Sequence, residues 1–126
     1  MADVFQLGGS YTTAPASGAP SADPSYIAPI DESVTLIRKH HDTIDLSTDA
    51  VTPISFGGVT NAHVLIIKTV GGKVSVRLTS ADGSTQSVPV DSFLAVISNT
   101  VPITAADLTR VPGQETICKV FLGEHG

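Results

Sequence analysis

From Ser33 onward, apolar runs too short for an amphipathic helix alternate with clusters of Gly, Pro, Asn and Asp every eight to twelve residues. The runs are rich in Val, Ile and Thr, so they predict strands. Val34-Thr35-Leu36-Ile37-Arg38 and Thr43-Ile44-Asp45-Leu46-Ser47 read as two strands, the second placing Ile44 and Leu46 on one face. His40 and His41 then fall in a solvated or interface loop between them. Val51 to Phe56 contains Pro53, which suits a sheet edge because proline has no N–H for a ladder. Ala62 to Thr69 is almost continuously apolar and predicts the most central strand, buried on both faces over much of its length.

Gly71-Gly72 separates that run from Lys73 to Thr79, where strict alternation turns Val74, Val76 and Leu78 inward. A glycine pair between two such runs predicts a hairpin, and this hairpin is the expected core of the domain. Asp82-Gly83 predicts a second hairpin, leading into Thr85 to Val90 and then Ser92 to Ser98. Thr104 and Asp107 have the spacing of a short helix cap, yet Leu108 to Val111 also reads as a strand, and the surrounding β spacing favours the strand. Pro112-Gly113 makes a turn before a last strand, Glu115 to Leu122. The expectation is an all-β fold, a β-sandwich of jelly-roll-like type, with no internal repeat.

Residues 1–32 differ in character. Gly8-Gly9, Pro15, Gly18, Pro20, Pro24 and Pro29 lie among Ala, Ser and Thr, which argues against a helix or a long central strand. The apolar and aromatic residues in this segment would be wasted in a purely solvating tail. The chain is therefore expected to comprise an extended N-terminal arm, 1–32, and a sandwich domain, 33–126. Phe5, Leu7, Tyr11, Tyr26 and Ile27 are the arm's expected partner-binding anchors.

Composition narrows the function. With 126 residues the chain fits one domain, and without Trp its core must be filled by Val, Ile and Leu. A net charge of −5 and only seven Lys and Arg residues argue against nucleic acid as a partner. Charged residues are 15% of the chain, fewer than the roughly 25% usual in soluble domains, so part of the surface is expected to be hidden against a partner. The N-terminus does not read as a secretory signal and no apolar run reaches membrane-span length, so no membrane association is expected. The single cysteine, Cys118, lies in an apolar run and is expected as a core residue.

Catalytic chemistry finds little footing. His40, His41 and Asp42 offer metal-ligand types, but adjacent strand residues point to opposite faces and no second cluster at ligand spacing follows. His63 is expected to make a local hydrogen bond at a strand's wet end. No nucleophile elbow or phosphate loop occurs, and Asp82-Gly83-Ser84 lacks the acidic residue that closes a calcium loop. No enzymatic activity, catalytic residue, metal or cofactor is expected.

Ile54-Ser55-Phe56-Gly57-Gly58-Val59-Thr60-Asn61, Val64-Leu65-Ile66-Ile67 and Val74-Ser75-Val76-Arg77-Leu78 form a series of strands and turns. Val88-Pro89-Val90-Asp91, Phe93-Leu94-Ala95-Val96 and Val120-Phe121-Leu122-Gly123 continue it. The stretch Val51 to Leu122 resembles small structural proteins of tailed bacteriophages, the capsid decoration or cement proteins and minor tail components. The resemblance covers more than half of the chain and contains no catalytic motif. It implies a virion protein, made in the host cytoplasm, that packs as a homo-oligomer on the major capsid protein or on tail structural proteins. Small size places the head surface ahead of a tail, collar or baseplate role. The alternative from another class is a host-receptor or carbohydrate-binding module.

Overall fold

The computed structural model describes residues 3–13, 26–98 and 100–125, with the backbone alone at 3, 4, 6–13 and 26–33. Nine strands are described: β1 (Asp3–Thr13), β2 (Tyr26–Leu46), β3 (Thr52–Pro53), β4 (Val64–Val70), β5 (Val74–Ser80), β6 (Thr85–Val90), β7 (Phe93–Ile97), β8 (Ile103–Arg110) and β9 (Thr116–His125). No helix occurs among the described residues, so the fold is all-β, and the 103–110 stretch is a strand. One sheet has the order β1-β2-β9-β4-β7 and the other β3-β8-β5-β6. Every pairing is antiparallel.

The pairings are nested. β5 pairs with β6, β4 with β7, β3 with β8 and β2 with β9, as if one long two-stranded ribbon had its tip at the β5–β6 turn. That tip is the expected second hairpin. Gly83 adopts φ +88°, and Asp82 accepts hydrogen bonds from the Ser84 backbone N–H and hydroxyl. β3 is an edge strand, consistent with Pro53.

Both sheets feed one core. Leu46, Leu65, Ile67, Cys118, Val120 and Leu122 from the first sheet meet Val74, Val76, Leu78, Val90, Ala106 and Leu108 from the second. Strict alternation in β5 buries Val74, Val76 and Leu78 and exposes Ser75 and Arg77, as the period of a half-buried strand demands.

Two expectations need correction. Gly71-Gly72 is not a hairpin: β4 pairs with β7 and β9, whereas β5 lies in the other sheet. Gly71, at φ +93°, and Gly72, whose missing Cβ leaves room for the Thr116 hydroxyl, carry the chain from one sheet to the other. β4 and β5 therefore both contribute to the core from opposite sheets. Alternation alone does not distinguish that arrangement from side-by-side pairing, because both turn the same residues inward.

His40 and His41 are not in a loop. They lie within the 21-residue β2, opposite Leu122 and Phe121 of β9. A bulge at Ile37 places one extra residue between Leu36 and Arg38, which exchanges the faces of β2 along its length. Ile44 and Leu46 join the main core, whereas Val34 and Leu36 join a second cluster with Phe5, Val64, Ile66, Ile97 and Phe121. Residues 3–13 pair with 26–36, so β2 runs unbroken through the expected boundary at Ser33. The 14–25 part of the expected arm lies outside the described residues.

Candidate interaction surface

The outward face of the first sheet follows from its register. Along β9, β4 and β7, Ile117 lies opposite Val70, Lys119 opposite Lys68, and Phe121 opposite Ile66; Lys68 and Ile66 in turn face Phe93 and Ala95. β2 extends these rows with Asp45, Thr43 and His41. Next to them Val64 faces Gly123, and here the face is covered by the protein's own chain. Leu36 lies where a side chain at residue 123 would stand, its methyls 2.8 and 2.9 Å from that position, and Phe5 stacks on Phe121 with ring centroids 5.7 Å apart.

Beyond that cover the face is open. Phe93 is 57% exposed, Val70 50% and Ile117 38%, which leaves apolar side chains in contact with solvent on this face. His41, Thr43, Ile66, Lys68, Phe93 and Lys119 are among the residues lining a groove of about 350 Å³ here. A second cleft, about 410 Å³, lies beside β5, β6 and β7; Ser80, Ser84, Gln86 and Ser98 line it with apolar neighbours and no ionisable side chain.

Beside Leu36, on the other side of the bulge, lies a charged node. Glu124, only 6% exposed, accepts backbone N–H bonds from Thr60 (2.8 Å) and Asn61 (2.9 Å) and a 2.6 Å ion-paired bond from Arg38. The Asn61 and Thr60 N–H groups and the Arg38 guanidinium hold its carboxyl below the ordinary 4.5, outweighing desolvation. Next to it, the His63 Nδ1 accepts the His125 backbone N–H at 3.0 Å, the local hydrogen bond expected of His63. His40 packs beneath Gly57, which adopts φ +58° and has no room for a side chain against the imidazole.

Of the expected anchors, Phe5 packs on the protein's own Phe121. Leu7, Tyr11, Tyr26 and Ile27 occupy ribbon positions opposite Glu32, Ala28, Thr13 and Thr12, and their side chains lie outside the described residues. His40 and His41 face opposite sides, and among the described residues no group of three or more His, Cys, Asp or Glu could hold a metal ion. Cys118 is fully buried, which pushes its thiol up from 9.0. Sequence reasoning missed Lys68, Lys119, Phe93 and Glu124. The two lysines interrupt apolar runs, which is a visible signal, but their pairing depends on a register between strands distant in the chain.

No family model, curated protein or solved structure matches this chain.

Proposed function

We propose that the chain is a non-enzymatic structural protein of a phage virion, a decoration or cement protein on the head surface, built as a jelly-roll sandwich. The observation that carries this reading is the nested pairing of β2 with β9, β3 with β8, β4 with β7 and β5 with β6. A long ribbon rolled in that way gives the sheets β2-β9-β4-β7 and β3-β8-β5-β6, the double-sheet architecture used by many viral capsid domains. The open apolar patch around Phe93, Val70 and Ile117 supports a role in assembly. The β1–β2 ribbon extends the first sheet and supplies the arm through which a neighbouring subunit is reached.

Mass spectrometry of purified particles from the phage that encodes the chain tests this reading. The protein should be present in numbers commensurate with the major capsid subunit, and particles lacking it should release DNA at lower temperature. Absence from particles overturns the virion assignment; presence at a few copies per particle assigns it to the tail, collar or baseplate.

A further inference from the structure

The groove on the outward face carries an arrangement that strand stability alone does not favour. Lys68 and Lys119 stand directly opposite each other on adjacent strands, and like charges in that position repel. Neither has a carboxylate partner among the described residues. They flank apolar and aromatic groups, Ile66, Phe93 and Phe121, that line the same groove. A cation pair and an apolar floor together define the chemistry of an occupant.

We propose that this groove docks an acidic polypeptide segment bearing an aromatic or branched apolar side chain. The apolar side chain lies on Phe93, Ile66 and Phe121, and the carboxylates beside it lie at Lys68 and Lys119, relieving the repulsion between them. The inference stands on the geometry of this face and holds whether or not the chain is a virion protein.

The test is an NMR titration of the full chain with the acetylated, amidated pentapeptide DDFDD, compared with NNFNN and DDGDD. DDFDD should produce saturable shifts at the amides of Ile66, Lys68, Phe93, Lys119 and Phe121. NNFNN and DDGDD should each bind at least about 5-fold more weakly, since each lacks one part of the recognition. Lys68→Gln and Lys119→Gln should each weaken DDFDD by about 2- to 5-fold, and Phe93→Ala by at least as much, with dispersed spectra showing that each variant is folded. Raising the salt should weaken DDFDD and leave NNFNN unchanged. The proposal is overturned if DDFDD gives no saturable shift at millimolar concentration or if NNFNN binds equally well. It is also overturned if a heparin hexasaccharide binds the same residues as tightly as DDFDD, because the face would then be a general anion patch.

Discussion

Removing the carboxylate of Glu124 should loosen two distant parts of the chain at once. Glu124 holds the Thr60 and Asn61 N–H groups, Arg38 lies 86 residues away in sequence, and the carboxylate is nearly excluded from water. A hydrogen bond to a charged group contributes about 1.5–3 kcal/mol, and a half-exposed ion pair adds at most about 1 kcal/mol. Water can reach Thr60, which is exposed, so the full sum is not lost. Glu124→Ala should therefore cost about 2–4 kcal/mol, a fall in Tm of roughly 10 °C for a domain of this size. Glu124→Gln keeps a neutral acceptor and should cost about 1–2 kcal/mol.

The decisive assay is the pH dependence of the difference between wild type and Glu124→Gln in thermal melts. A carboxyl whose pKa is lowered by folding contributes stability above its ordinary value of 4.5 and loses it as pH falls through the lowered value. The two proteins should thus melt apart at pH 7 and converge well below pH 4.5. Asp49 and Asp82 are also lowered, by hydrogen bonds from Gly113 and Arg110 and from Ser84 respectively, but they are present in both proteins and cancel. A Glu124→Ala protein melting within about 2 °C of wild type, or a gap unchanged at low pH, would refute the reasoning.

Leu65→Asp and Val76→Asp, each at a fully buried position, should leave no cooperative melt at 25 °C, because an unpaired carboxylate would enter the core; circular dichroism checks this. Cys118 should resist a thiol reagent in native buffer and react at once in denaturant, and rapid native labelling would contradict its burial. Deleting residues 2–28 removes all of β1, and with it Phe5 from Phe121, and should lower Tm by at least a few degrees while leaving the two-sheet core folded, as the half-buried Phe alone contributes about 1 kcal/mol. The same deletion should weaken incorporation into particles; unchanged occupancy and particle stability would make the segment dispensable to assembly.

Local features of the fold were legible in the sequence wherever one residue type has one structural use. The alternation of Val74, Val76 and Leu78, the turn at Asp82-Gly83 and the edge position of Pro53 all followed from single-strand rules. What was not legible was which strand lies beside which. Gly71-Gly72 serves a passage between sheets as well as it would a hairpin, and only the demands of the whole core decide between them. The bulge at Ile37 left no turn signal, so β2 read as two strands with a histidine loop between them. The candidate surface was hidden for the same reason: Lys68 and Lys119 become neighbours only once β4 and β9 are in register.

The nested pairing also sets the order in which the molecule can be finished. β9 is the middle strand of the five-stranded sheet, and it is synthesised after every other strand described. During translation β5 and β6 can close, and β7 can find β4, but β2 and β4 have an empty lane between them until β9 emerges. Such distant pairings slow folding, since loop closure must be achieved before the contacts reward it. The growing chain therefore carries two unsatisfied strand edges from the completion of β4 until β9 emerges, a period in which neighbouring nascent chains compete for the place that β9 will occupy.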